Sequence, residues 1–136
     1  MRLFVDGRDI SYVEYGDVDT GEHKKYSGEP ETYLKHLDDF LKSCGKTVDS
    51  LTEAHIMIGE GSSTALRASL AIINTIAFTK RIHIYAYRAD RTREHIFGAI
   101  RSGDLQGEIL SDFATPVYAH APRMTPTKKD QLNRKF

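Results

Sequence analysis

The sequence contains a single cysteine, Cys44, among its 136 residues. One thiol cannot form an internal disulfide, and it cannot supply a zinc site built from cysteines. The six histidines give no metal site either, because no two of them lie at the spacing of paired ligands on one helix. We therefore expect neither a bound metal nor a cofactor.

An excess of charge of one sign is also missing. The 19 Lys and Arg residues balance the 19 Asp and Glu residues, so the formal net charge is zero. A neutral chain has no global attraction to nucleic acid or to a membrane surface. No apolar run is long enough to span a bilayer, because Asn74, Thr75 and Lys80 interrupt the best candidate. No signal peptide is evident, and we expect a cytoplasmic protein that does not contact a membrane.

The segment from Ala54 to Phe78 has the clearest pattern in the chain. A short apolar run over 54–58 is followed by a turn rich in Gly and Ser and then by a long apolar-periodic segment. This order predicts a strand, a tight loop and a helix over about 62–79. Ser62 or Ser63 can cap the helix by accepting a hydrogen bond from one of its first amides.

Two antiparallel strands are predicted at the start of the chain, over 3–5 and 10–15. Asp6-Gly7-Arg8-Asp9 is interpreted as the hairpin turn between them, because Asp-Gly is a favoured turn pair. A third strand ends near Tyr26, and a helix over about 31–44 stops at Gly45. With a further strand over 81–87, the pattern predicts an α/β domain whose mixed sheet opens with a three-stranded antiparallel meander and carries two main helices.

The last third of the sequence is harder to interpret. Residues 94–101 suit a helical turn or a strand, and Ser102-Gly103-Asp104 followed by 105–110 favours a β-hairpin. From Thr115 onward, three prolines interrupt regular structure. Propensity alone does not decide the structure of residues 94–110. After Thr115 we expect an irregular tail, whose net charge is positive.

The predicted helix over 62–79 is apolar around roughly half or more of its circumference. One sheet cannot cover so wide an arc, so a second domain or a second chain is expected to cover the remainder, unless the helix is buried wholly within its own domain. If a second chain covers the remainder, this helix and the helix over 31–44 present a shared partner surface. The nine residues predicted to line it are Leu34, Leu37, Leu41, Ala65, Leu66, Ala68, Ser69, Ile72 and Ile73.

The loop over 59–64 also invites a phosphate-binding interpretation, since it stands at the start of a helix. It lacks the Gly-Lys-Ser/Thr ending of a P-loop, and no lysine follows within the loop. Asp6-Gly7 after the first strand is similar to the phosphate-binding hairpins of actin-like ATPases, although the predicted hairpin is too short to wrap around a phosphate. No Ser/His/Asp set can be assembled, and no catalytic site is predicted.

The run from Tyr33 to Phe78 resembles the N-terminal domain of the TsaB (YeaZ) family, which acts in bacterial tRNA threonylcarbamoyladenosine synthesis. That family has a loop of the kind Gly-x-Gly-Pro-Gly-Ser-Phe-Thr-Gly-x-Arg before a helix rich in small residues. Ser62, Thr64 and Arg67 fall on the family's Ser, Thr and Arg, with two loop residues missing. The segment 88–94 resembles the one that opens a β-hairpin in the family's second domain, so the resemblance implies a short β-hairpin over 94–110. The segment 116–129 resembles the family's basic end.

The resemblance implies an actin-like (ribonuclease H-like) N-terminal domain over 1–88 and a much reduced second domain over 89–136. It implies a non-catalytic subunit that pairs, through its N-terminal helices, with a TsaD-like enzyme. A TsaE-like ATPase is a possible further partner, and tRNA contact is expected only within a complex. Two alternatives stay open, a homodimeric interaction module and a degenerate actin-like ATPase.

Overall fold

The computed structural model describes residues 1–88 and 93–109, with the backbone alone for residues 93–95. In chain order its strands and helices are β1 (Arg2–Asp9), β2 (Tyr12–Asp17), β3 (His23–Ser27), α1 (Tyr33–Ser43), β4 (Glu53–Ile58), α2 (Ser63–Lys80), β5 (His83–Arg88), α3 (Arg93–Ser102) and β6 (Glu108–Ile109). Short 3-10 turns at Pro30–Thr32 and Val48–Ser50 precede α1 and β4.

The strands form one six-stranded sheet in the order β3-β2-β1-β4-β5-β6. The neighbours β1, β2 and β3 pair antiparallel, as the predicted meander requires, while β4 is parallel to β1 and to β5. The last strand, β6, returns antiparallel to β5. The predicted mixed α/β sheet is therefore confirmed, and β1 and β4 lie at its centre.

The first hairpin turn was predicted at the wrong place. Asp6 and Gly7 are buried within β1, and the chain turns at Ile10 and Ser11 instead. A Cβ added to Gly7 would lie 2.6 Å from the Cβ of Ser69 in α2. Gly7 therefore serves the close approach of α2 to β1, and not a turn, which is why the Asp-Gly pair misled the prediction.

One face of the sheet is covered by α1 and α2. Their inward side chains and the facing side chains of the strands form a continuous buried core. Leu37 and Phe40 of α1 and Leu66, Leu70 and Ile73 of α2 are all at most 2% exposed. The two predicted main helices therefore lie on the same side of the sheet, where both contribute to one core.

The opposite face of the sheet is covered by α3, and the prediction of a β-hairpin over 94–110 is wrong. Ile100 lies one helical turn after Ile96 and Phe97, and all three are buried in one cluster with Phe4 and Met57. The Phe97 ring centroid is 5.0 Å from that of Phe4. This contact with the sheet favours the helix over the strand propensity of the segment.

Residues 93–109 thus pack on the same sheet as residues 1–88, through α3 and β6. The division of the chain after residue 88 stays a prediction, since residues 110–136 lie outside the described part. The predicted irregular tail after Thr115 lies there as well. Across the two described ranges, the helices are too short or too polar to traverse a bilayer.

Candidate partner-binding surface

The helix α2 begins at a side-chain cap and ends at a left-handed residue. Ser62 is the N-cap, and its Oγ accepts a hydrogen bond from the amide of Ala65 at 3.2 Å. At the other end Arg81 has φ 59° and ψ 47°, and its amide donates to the carbonyl of Ala77. Both ends are closed by local hydrogen bonds, so the 18 residues form one uninterrupted helix.

The inward side of α2 lies against the sheet. Ala65, Leu66, Ser69, Leu70 and Ile73 are each at most 2% exposed. The Ser69 hydroxyl donates to the carbonyl of Leu66 at 3.0 Å, so this buried polar group is satisfied within the helix. These side chains belong to the core of the domain itself.

The outward side of α2 forms a strip without charge, which we call the outer strip. Between Arg67 and Lys80 the helix contains no charged residue. The Thr75 hydroxyl donates to the carbonyl of Ala71 at 2.8 Å, so this polar group is satisfied within the helix. The outer strip consists of Ala68, Ala71, Ile72, Thr75, Ile76 and Phe78, which are exposed or partly buried.

Phe78 is the most exposed large apolar side chain described, at 64%. Ala68, Ile72 and Ile76 form the edge of the outer strip that adjoins the core, since they pack against buried residues on one side. An uncharged helix surface three turns long is unusual for a side that faces water. The outer strip is therefore the best candidate for a surface that another protein covers.

The outward side of α1 is different, because it is charged and its charges are paired. Lys35 Nζ lies 3.1 Å from Asp39 Oδ2, and Lys42 Nζ lies 2.9 Å from Asp38 Oδ2. Such pairs one helical turn apart are typical of a solvated helix face. Leu34, which is 60% exposed, is the apolar exception in α1.

The structure separates the nine predicted partner-binding residues into two groups. Leu34 is exposed, and Ala68 and Ile72 are partly buried in the outer strip. The other six are buried in the core of the domain, so no partner can contact them in this conformation; they are Leu37, Leu41, Ala65, Leu66, Ser69 and Ile73. The sheet and α1 together cover that part of the apolar arc, which the sequence alone does not show.

Four members of the outer strip were missed by the prediction. They follow the same helical period as the predicted residues but lie on the outward side of α2; they are Ala71, Thr75, Ile76 and Phe78. The absence of charge between Arg67 and Lys80 was the signal that could have found them.

His55 lies in β4 and is buried, and each nitrogen of its ring has a hydrogen-bond partner. Its Nδ1 lies 2.6 Å from the hydroxyl of Tyr87, and its Nε2 lies 2.9 Å from Oε1 of Glu53. Burial lowers the pKa of His55 and raises the pKa of Tyr87 to about 12. The imidazole is thus held by two partners, one on each nitrogen.

The comparisons with known proteins give structural matches alone. YeaZ from Pseudomonas aeruginosa superposes with a TM-score of 0.55 and 15% identity, over 64% of this chain and 44% of that protein. A second structure, described as an uncharacterized protein with similarity to peptidase YEAZ from Pseudomonas aeruginosa, gives the same TM-score and identity over 64% of this chain and 42% of its own length. No family model and no curated protein matches the sequence.

These matches show a YeaZ-like fold. The matched region is less than half the length of either structure. The likeness therefore concerns the arrangement of the sheet and helices and does not by itself extend to the activity of the whole YeaZ protein.

Proposed function

We propose that the chain is a non-catalytic, TsaB-like subunit that acts in forming N6-threonylcarbamoyladenosine at position 37 of tRNA. In this role it pairs with a TsaD-like enzyme, and contact with tRNA arises only within the complex. The proposal includes an actin-like N-terminal domain, and it allows a TsaE-like ATPase as a further partner. Two independent features support it, the YeaZ-like fold and the match of Ser62, Thr64 and Arg67 to the TsaB loop.

The observation that carries the pairing is the outer strip of α2. It carries no charge over three helical turns, and it lies on a helix whose two ends are capped. Small side chains at Ala68 and Ala71 let the backbone of a partner helix come close. Leu34 adds an exposed apolar side chain on α1, the other helix of the same face. The charged face of α1 would then form the polar rim of the contact.

Reconstitution tests this role. The TsaD-like enzyme of the same cell, together with its other required components, is incubated with tRNA, threonine, bicarbonate and ATP, with and without this chain. We expect modified adenosine to form when the chain is present and to fall at least about tenfold when it is left out. Equal product in both reactions would reject the proposed function.

The same outer strip could also serve a homodimer, because a C2 contact buries one surface on both copies. Mass measurement of the free chain separates the two cases. A free monomer that gains mass when the TsaD-like chain is added supports the heterodimer. A dimer that persists in the presence of that chain supports the homodimeric module instead.

A further inference from the structure

The carboxyl ends of β1 and β4 form the place where this sheet would be expected to bind a ligand. The chain runs from β1 to β2 on one side and later returns to β4 on the other side. Ligands of α/β sheets bind outside the carboxyl ends of the strands at such a change of direction. An actin-like fold implies a metal-bound nucleotide at this crevice, so the residues there can be tested for fit.

A guanidinium of the chain itself holds the acidic side chain at this position. Arg8 Nε donates to Asp6 Oδ1 and Arg8 Nη2 donates to Asp6 Oδ2, both at 3.0 Å. The Asp6 side chain is fully buried, and the Arg8 side chain is 13% exposed. Two parallel hydrogen bonds between an arginine and a carboxylate form one of the strongest paired arrangements in proteins.

A second carboxylate lies beside the first. Glu14 is directly opposite Asp6 in the register of β1 and β2, and it is 5% exposed. Its Oε2 is 3.0 Å from Nδ1 of His23. Two buried carboxylates facing each other repel unless positive or donating groups stand next to them. Arg8 supplies positive charge to Asp6 from within β1, and His23 supplies the polar partner of Glu14.

The main chain of Arg8 closes the other side of the crevice. Its carbonyl accepts a hydrogen bond from the amide of Ser62 at 2.7 Å, which joins the end of β1 to the start of α2. A Cβ added to Gly61 would lie 2.6 Å from the same carbonyl oxygen, so the two segments are in contact. The amide of Ala65 is bonded to Ser62 Oγ. Two of the amides that a phosphate at this helix start could use, those of Ser62 and Ala65, are therefore already engaged.

We propose that Arg8 is a built-in closure of this crevice. Its guanidinium pairs with Asp6 in place of a metal cation, and its carbonyl holds the loop after β4 against the end of β1. A metal-bound nucleotide is therefore excluded from the crevice. The residues present therefore do not fit the nucleotide of actin-like ATPases. This goes beyond the proposed partner role, because it concerns the carboxyl ends of β1 and β4, which an internal ion pair occupies.

Thermal unfolding with and without Mg·ATP, and separately with Mn²⁺, tests the closure. The wild type and the charge-conserving Arg8→Lys variant are expected to keep their melting temperatures with either additive. Arg8→Met removes the guanidinium beside a buried carboxylate, so Mn²⁺ is expected to enter and raise its melting temperature by about 5 °C at ten times the dissociation constant. The double variant Asp6→Asn with Arg8→Met is expected to lose that response.

The result that overturns the closure can come from any of these proteins. A wild type stabilised by Mg·ATP would show an open nucleotide site. An Arg8→Met variant that ignores Mn²⁺, or that stays unfolded by circular dichroism with and without it, would show that Arg8 does not take the place of a cation. A double variant that still responds would place the metal elsewhere. None of these results bears on pairing with a TsaD-like chain.

Discussion

Replacing Gly7 by alanine is expected to destabilise the domain, although it adds only one methyl group. The new Cβ would lie 2.6 Å from Ser69 Cβ and 2.7 Å from Ser69 Oγ. Carbon atoms in contact prefer about 3.5–4.0 Å, so α2 would have to move away from β1 by roughly 1 Å. Overpacking of this kind costs about 2 kcal/mol, which corresponds to a melting temperature lower by roughly 6–10 °C in a domain of this size.

Gly98→Ala is the matched control for this prediction. Gly98 lies in α3 and is exposed, and an added Cβ would meet no atom within 4 Å. Here the same substitution is expected to stabilise the protein by about 0.5–1 kcal/mol, because alanine is the better helix former. The two variants therefore shift the urea midpoint in opposite directions.

A double-mutant cycle identifies the cause of the Gly7→Ala effect. Ser69→Gly removes the side chain that the new methyl group meets, so Gly7→Ala should cost less in the Ser69→Gly background than in the wild type. We expect a coupling of about 1 kcal/mol or more between the two positions. A Gly7→Ala variant as stable as the wild type, or effects of Gly7→Ala that are equal in both backgrounds, would refute the packing of α2 directly on β1.

Three further predictions concern His55, Tyr33 and the tail. The folded pKa of His55 lies below its unfolded value near 6.5, so the unfolded state binds the proton first as the pH falls below 6.5. The free energy of unfolding should then drop by up to about 1.4 kcal/mol per pH unit. Urea unfolding at several pH values should show a shallower drop for His55→Gln, and equal slopes for the two proteins would contradict this. Tyr33→Phe removes the hydroxyl that donates to the carbonyl of Asp9 at 2.7 Å and should cost about 1 kcal/mol in a denaturant titration, whereas an unchanged midpoint would mean that the bond adds nothing. Deleting residues 127–136 removes four of the five Lys and Arg residues that follow His120; if the tail touches tRNA in the complex, salt-dependent filter binding should weaken, and unaltered affinity would remove that role.

The central part of the fold could be predicted from the sequence because its signals are local. The apolar run over 54–58, the glycines after it and the long periodic segment define β4 and α2 without reference to the rest of the chain. The meander and α1 are specified in the same way, by alternation, by turn residues and by Gly45 after the helix.

Features that depend on contacts distant in sequence were not predictable in this way. Asp6-Gly7 has the local signature of a turn, and only the position of Ser69 explains why it lies inside a strand. The segment over 93–102 has no strong preference of its own, and Phe4 and Met57 on the sheet select the helix. Long-range packing decided both cases.

The division of α2 into a core side and an outer strip was also beyond the sequence pattern. A helix that is apolar on most sides gives no period from which to choose the inward direction. Leu66 and Ile73 face the core, while Ile72 and Ile76 lie at its margin, although all four are equally apolar. Only the absence of charge between Arg67 and Lys80 marks the outer strip in the sequence.

Binding of the TsaD-like chain to outer-strip variants tests the central claim most directly. Ala68→Arg and Ala71→Arg place a long charged side chain on the outer strip, while Gln106→Arg places the same side chain at an exposed position after α3. Calorimetric titration is expected to show a loss of at least about a hundredfold in affinity for the two α2 variants, with an unchanged circular dichroism spectrum and unchanged affinity for Gln106→Arg. Folded Ala68→Arg and Ala71→Arg variants that bind as tightly as the wild type would place the partner surface elsewhere and contradict the account.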